Sequence, residues 1–127
     1  MRIVSISTDR KIFEEGSLVR ARQIEYGNLF EELHIIVFTM GIRNKELGIM
    51  SEKISKNVWV YRTNSYSRVM YIFDAIRIGK QIIHNSQFTI HNSAITTQDP
   101  FETGFAGWRI AKKTGIRDDF DQFTKEI

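Results

Sequence analysis

The stretch 94–115 constrains the fold most, because it has the pattern of a strand, a sharp turn and a helix with every junction signalled. Its first residues are small and β-branched, as a buried strand requires. Asp99 occupies an N-cap position, Pro100 the first helical position, and Glu102 the position three residues after the cap. This is a capping box with an aspartate cap. The pattern predicts a strand over 94–98 and a helix that starts at Pro100.

The turn Gln98–Thr103 is therefore predicted to be held at the carboxyl end of that strand. In open α/β sheets ligands bind at this end, where helix N-termini point free N–H groups at anionic groups. The helix is expected to end at Gly115, which supplies a left-handed residue. Apolar residues at helical spacing predict its buried face: Phe101, Phe105, Trp108 and Ala111.

The rest of the chain alternates strands with helices. Further strands are predicted over 2–7, 34–39 and 57–62, and a long helix over 68–84 with Ser67 as its cap. Another helix begins at Leu18 after the cap Ser17, and its expected apolar side comprises Val19, Tyr26, Leu29, Phe30 and Leu33. The order β-α-β-β-α-β-α predicts an α/β fold of the Rossmann-like, doubly wound type with a mainly parallel sheet.

Length and composition limit the class of protein. A chain of 127 residues accommodates one domain. It contains no cysteine, so thiolate metal sites and disulfides are excluded, and its three histidines are scattered, so we expect no metal site. The Asp119-Phe120-Asp121 triplet lies in a polar tail, and we attribute it to chance. A net charge of +3, spread along the chain, does not indicate nucleic-acid binding.

The chain shows no membrane-targeting pattern. Its N-terminus is an alternating strand rather than a signal peptide, and no run approaches the roughly 20 apolar residues of a membrane span. We expect a cytoplasmic protein, and peripheral contact with the inner membrane surface stays open.

Three segments carry a resemblance to a known family. They are Thr-Thr-Gln-Asp-Pro-Phe-Glu-Thr-Gly at 96–104 with Gly107-Trp108 behind it, Met-Arg-Ile-Val-Ser-Ile-Ser at 1–7, and Glu-Gly-Ser-Leu-Val-Arg-Ala-Arg at 15–22. Over residues 1–116 the chain resembles the N-terminal, acceptor-side domain of family 4 glycosyltransferases. These are retaining GT-B enzymes of polysaccharide and lipid-linked sugar assembly. The resemblance implies a nucleotide-sugar donor, a glycan or lipid-linked acceptor, and no metal or other cofactor.

Two groups of candidate site residues follow. Near the donor diphosphate we expect Gly16, Ser17 and Arg20, because a glycine backbone and a helix N-terminus favour phosphate. On the acceptor side the resemblance implies Gln98, Asp99, Pro100, Glu102 and Thr103. Each group also has a structural interpretation. Gly16 suits an ordinary loop, and Asp99 and Glu102 suffice as caps. Arg20, like Arg22, suits surface pairs with Glu14, Glu15 or Glu25. No catalytic residue is assigned.

The end of the chain departs from the family pattern. Residues 117–127 have the composition of a polar tail without a further strand, and Phe120, Phe123 and Ile127 favour a short amphipathic helix. We therefore expect a truncated domain with a bare sheet edge and little transferase activity without a donor-binding domain. The alternative is a small α/β interaction module that binds partners or oligomerises through that edge.

Overall fold

The computed structural model describes residues 1–40, 51–86, 88–89, 92–97 and 102–118. These residues form an α/β fold with one six-stranded sheet. The strands are β1 (Arg2–Ser7), β2 (Glu32–Val37), β3 (Ser51–Ser55), β4 (Val58–Arg62), β5 (Ser93–Thr97) and β6 (Arg117–Asp118). The helices are α1 (Leu18–Gly27), α2 (Arg68–Asn85) and α3 (Glu102–Thr114), with a 3-10 helix at Arg10–Phe13.

The sheet is mainly parallel, in the order β3-β4-β2-β1-β5-β6. Every neighbouring pair is parallel except β3 and β4. From the central β1 the chain moves outward through β2 to β4, and then crosses back to place β5 on the other side of β1. The direction of winding therefore reverses between β1 and β5.

Helices cover both faces of the sheet, because alternate strand residues are apolar on each face. Ile3, Leu33 and Val60 belong to one buried cluster, against which Val19 of α1 packs. Val4 and Ile36 belong to the other cluster, together with residues of α2 and α3. Right-handed crossovers place helices on opposite faces when the winding direction reverses. The arrangement confirms the predicted α/β class with a mostly parallel sheet and is compatible with a Rossmann-like fold.

Two helix signals are confirmed and one is weaker than expected. The Ser17 hydroxyl accepts a hydrogen bond from the backbone N–H of Arg20 at 3.1 Å, which caps α1. Gly115 has φ of 77°, the left-handed conformation that follows α3. Ser67 stands at the N-cap position of α2, but its side chain makes no capping hydrogen bond.

The predicted apolar side of α1 is partly wrong. The helix ends at Gly27, so Leu33 belongs to β2, and the side chain of Leu29 is 73% exposed. Asn57 provides the physical reason. Its amide Nδ2 donates to the carbonyl oxygens of Gly27 and Phe30, at 2.7 and 2.8 Å, and so satisfies acceptors that a longer helix would have used.

The predicted buried face of α3 is also partly wrong. Phe105 is 49% exposed, whereas Ala106 and Ile110 are fully buried. The reason is the close approach of α2. A Cβ atom on Gly79 of α2 would lie 2.5 Å from Cδ1 of Ile110, so Ile110 fills the space beside this glycine and leaves none for a ring. Phe101 lies outside the described residues.

Two strands were not predicted. The expectation that no strand follows α3 is wrong, because β6 pairs with Ala94 and Ile95 of β5 and covers part of its edge. Ile116, at 3% exposure, anchors this turn of chain in the core. β3 was missed because its only apolar residue is Ile54, which is typical of an edge strand that charged residues protect. Residues 119–127 lie outside the described residues.

Candidate functional site

A cleft of about 270 Å³ opens at the carboxyl ends of β1 and β5, where the winding direction of the sheet reverses. Open α/β sheets bind ligands at this position, because diverging connections leave a crevice there. The cleft is lined by Ser5, Ile6, Ser7, Asp9, Ile12, Val19, Gln23, Ile35, Thr96 and Thr97.

Hydroxyl groups form the floor of the cleft. Ser5 and Ser7 alternate with Ile6, so both lie on the sheet face that α1 partly covers. The register pairs Ser5 with Thr96 of β5 and thereby brings two hydroxyl-bearing residues side by side. A serine or threonine hydroxyl both donates and accepts hydrogen bonds. The floor therefore suits a ligand rich in hydroxyl groups.

The wall of the cleft is built by the connection from β1 to α1. Asp9 receives a hydrogen bond from the backbone N–H of Lys11 at 3.1 Å and so caps the 3-10 helix. Its own backbone N–H donates to the Ser7 hydroxyl at 3.0 Å. Ile12, at 2% exposure, seals the wall against the core, and Gln23 adds an amide from α1. The wall is thus held by its own hydrogen bonds.

Arg10 fixes this connection to the rest of the protein. Its Nε donates to the carbonyl oxygen of Phe38 at 3.1 Å, and its Nη2 donates to the hydroxyl of Tyr71 at 3.2 Å. These bonds join the loop after β1 to the end of β2 and to α2. The cleft is consequently preformed by three elements of the fold.

The predicted donor-side residues lie beside the cleft but do not line it. Gly16 has φ of 79°, and a Cβ there would meet no atom within 4 Å, so the glycine serves the turn itself. The hydroxyl of Ser17 donates to the carbonyl oxygen of Lys11 at 2.7 Å. Arg20 pairs with Glu52 of β3 at 3.2 Å, and its side chain is only 14% exposed.

The expected pairing of Arg20 with a nearby glutamate is therefore wrong. A residue of a distant strand provides the partner, which no local spacing could indicate. Whether Arg20, Gly16 or Ser17 contacts a donor stays a prediction.

The acceptor-side group is described only in part. Gln98, Asp99 and Pro100 lie outside the described residues, and so does the side chain of Glu102, whose backbone begins α3. Thr103 is fully buried in the first turn of α3. The roles of these five residues stay a prediction, although Thr97, immediately before the turn, lines the cleft.

The hydroxyl residues of the cleft were missed at the level of sequence. The signal was present, since Ser5 and Ser7 interrupt an otherwise apolar strand at a period of two. Polar residues at that period in a central strand indicate that one face is open near its carboxyl end. The pairing with Thr96 needed the strand order and was not accessible from local pattern.

A second polar cluster surrounds His34 on the opposite face of the sheet. His34 is 3% exposed and stacks on Trp59, with ring centroids 4.7 Å apart. Its Nε2 lies 3.0 Å from a carboxylate oxygen of Glu32, and its Nδ1 lies 2.6 Å from the hydroxyl of Tyr61. Arg2 in turn donates to Glu32 at 2.6 Å.

The environment favours a neutral imidazole. Burial lowers the pKa of His34 below its usual value of 6.5, and the hydrogen bond with Glu32 opposes this effect only in part. Burial raises the pKa of Tyr61 to about 12, so this hydroxyl keeps its proton. Because a carboxylate only accepts, Nε2–H donates to Glu32 and Nδ1 accepts from Tyr61.

A pH dependence of stability follows from the buried histidine. Below pH 6.5 the unfolded state takes up a proton at this position before the folded state does, so the free energy of unfolding falls as pH falls. The lowered pKa of Glu32 acts in the same direction at lower pH. Urea denaturation between pH 7.5 and 5 would measure this slope. We expect His34→Gln to flatten it, because that variant removes the buried imidazole. An equal slope in the two proteins would contradict the assignment.

Two general features of the described residues bear on the site. No three His, Asp or Glu side chains among them lie together as ligands for a metal ion. In the same parts of the chain, no helix combines the length and hydropathy that a membrane crossing requires.

Comparison with protein families, curated proteins and solved structures finds no match to this chain. The fold and the cleft define an α/β domain with a candidate ligand site at the switch point of its sheet.

Proposed function

We propose that this chain is the acceptor-side domain of a retaining, GT-B-type glycosyltransferase and that the cleft holds one sugar ring. One observation carries the proposal: the hydroxyl-bearing ends of β1 and β5 adjoin and form a cleft at the switch point. The turn that resembles the glycosyltransferase family begins directly after β5. The connection from β1 to α1, which builds the wall, leads into the segment 15–22 that carries another part of the resemblance.

The chemistry of the lining supports a neutral polyhydroxyl ligand. Among the described residues that line the cleft, Asp9 is the single charged group, and none is a lysine, arginine or histidine. A diphosphate would require positive charge or several free N–H groups. Serine and threonine hydroxyls with the amide of Gln23 instead match the alternating donors and acceptors of a sugar. The volume lies just below the roughly 300–1,000 Å³ of sites for drug-sized ligands.

The role of these residues in transfer is orientation. Ser5, Thr96 and Gln23 would hold the hydroxyls of the acceptor so that one of them faces the anomeric carbon of the donor. Positioning of this kind converts a bimolecular step into an effectively unimolecular one. The nucleotide and diphosphate would be bound by a second domain, as the resemblance implies. We accordingly expect no turnover from these 127 residues alone with a panel of nucleotide sugars, and robust transfer would contradict this division of roles.

Titration of the isotope-labelled chain with methyl glycosides, followed by amide NMR, tests the proposal. We expect shifts at Ser5, Ser7 and Thr96 with one or a few of the sugars. Ser5→Leu should abolish them, because a leucine side chain fills the cleft. Thr96→Val, which replaces a hydroxyl with a methyl group, should weaken binding about tenfold, or about 1.4 kcal/mol.

Ser51→Leu is the matched control, since Ser51 is exposed on the edge strand β3. It should bind as the unmodified chain does. Shifts that survive Ser5→Leu, or tighter binding of inorganic pyrophosphate than of any glycoside at the cleft, would overturn the sugar assignment.

The alternative of an interaction module that acts through a bare sheet edge has less support. β6 pairs with part of the edge of β5. On the opposite edge, β3 carries Glu52, which pairs with Arg20, and Lys53, which lies over the ring of Trp59. Charged residues on a short edge strand disfavour pairing with another chain.

A further inference from the structure

A second concave surface, independent of the cleft, lies between α2 and α3. This helix groove has a volume of about 820 Å³ and is lined from both helices. Its apolar part consists of Phe73, Ile76 and Phe105. Phe73 is 60% exposed and Phe105 is 49% exposed, so two large rings face solvent at neighbouring positions. Exposed apolar groups concentrated in one groove mark a binding surface.

The walls of the helix groove are basic on both sides. Arg77 and Lys80 come from α2, and Arg109 and Lys113 come from α3. Together the two helices carry six lysines and arginines against two acidic residues, although the whole chain has a net charge of only +3. Arg77 forms an ion pair with Asp74 at 3.6 Å, but the arginine side chain is 52% exposed, so solvent weakens this pair. A positive potential along both walls follows.

We propose that the helix groove binds an amphipathic, acidic helix of a partner protein. A helix laid between two others would place its apolar stripe on Phe73, Ile76 and Phe105. Acidic residues on both flanks of that stripe would then reach the basic side chains of the two walls. This is the helix-in-groove mode of recognition, with anchors at helical spacing. Complementary charge sets the orientation and accelerates association.

Charge and shape favour this occupant over two others. In a two-fold dimer through the same face, each basic wall would meet the basic wall of the second copy, and like charges repel. A bilayer presents a broad, nearly flat surface and would leave the floor of a trough between helices uncovered. An acidic amphipathic helix would pack its apolar stripe on the floor of the groove and place its acidic side chains against both basic walls.

Fluorescence anisotropy with designed peptides tests the proposal on the full chain. The probe is a labelled helix of about 15 residues, a length at which isolated helices become stable, with leucines along one stripe and glutamates on its flanks. We expect saturable binding that weakens with salt, because the walls are exposed. A peptide with lysine in place of each glutamate should not bind.

Two variants locate the site. Lys80→Glu/Lys113→Glu reverses one charge on each wall and should weaken binding at least tenfold, and Phe73→Ser should do the same. The matched control is Arg22→Glu/Lys56→Glu, which makes the same change in net charge at exposed positions outside the groove. Circular dichroism should show that every variant is folded, since each altered side chain is exposed.

Three outcomes would overturn the proposal. One is equal affinity of the glutamate and lysine peptides, and another is equal loss of binding in the control variant. The third is flotation of the chain with vesicles of phosphatidylglycerol while the acidic peptide does not bind, which would assign the groove to a membrane surface instead.

Discussion

Replacing Phe38 with alanine is expected to lower the free energy of unfolding by about 3–5 kcal/mol, a large share of the stability of a domain of this size. Phe38 is 1% exposed, and its ring stacks on Tyr71 with centroids 5.0 Å apart. Its removal would forfeit this stacking and leave a cavity between β2 and α2. Urea denaturation monitored by circular dichroism measures the effect.

Phe38 also connects the core to the cleft. Its backbone N–H donates to the carbonyl oxygen of Ser7, and its carbonyl oxygen accepts from Arg10. The alanine variant should therefore show altered amide shifts at Ser7 as well as lower stability. Phe73→Ala is the matched control, because that ring is 60% exposed, and its cost should stay within about 0.5 kcal/mol. Similar losses in both variants would contradict the packing described for Phe38.

Features that depend on a few neighbouring residues were predictable from the sequence. Ser17 caps α1 because its hydroxyl reaches an N–H only three residues ahead. Gly115 follows α3 because a left-handed residue is needed there. The alternation of strands and helices determined the α/β class, since hydrophobic periodicity is local in the chain.

Features that depend on distant partners were not predictable in this way. The face that α3 buries is set by the close contact of Ile110 with Gly79, which lies 31 positions earlier in the chain. α1 ends at Gly27, whose carbonyl oxygen accepts a hydrogen bond from the distant Asn57. Arg20 of α1 likewise forms its ion pair with a residue of a distant strand, Glu52 of β3. In each case the partner residue belongs to another part of the fold, so the local sequence pattern does not indicate it.

The candidate site depends both on features that are predictable from the sequence and on features that distant partners decide. That the carboxyl ends of β1 and β5 adjoin is expected from the general rule on switch points, and the sheet order agrees with it. Which side chains line the cleft depends instead on the register, which pairs Ser5 with Thr96. The predicted Gly16 and Ser17 satisfy the needs of the turn and of the helix end. The residues that line the cleft are therefore not the ones that the sequence predicted near a ligand, whose roles stay a prediction.

The second large effect on stability is expected from replacing a helical glycine, Gly27, with alanine. Gly27 ends α1 where the helix rests on β4, and a Cβ atom at this position would overlap with Cγ2 of Val58, which is fully buried. Alanine normally stabilises a helix by about 1 kcal/mol relative to glycine. Here overpacking costs about 1–3 kcal/mol, because a β-branched side chain has one favoured rotamer and little freedom to move. The difference of these two effects makes Gly27→Ala destabilising by up to about 2 kcal/mol net.

A double-mutant cycle isolates the steric cause. Val58→Ala alone should cost about 1.5–3 kcal/mol through lost burial. In the Gly27→Ala/Val58→Ala protein the added methyl group occupies the space that valine vacates, so the two changes should cost at least about 1 kcal/mol less than their sum. Gly16→Ala is the control. Its cost comes from φ of 79° and not from a neighbour, so combining it with Val58→Ala should be additive. Additivity in the Gly27 cycle as well would show that a Cβ atom at position 27 does not overlap with the side chain of Val58.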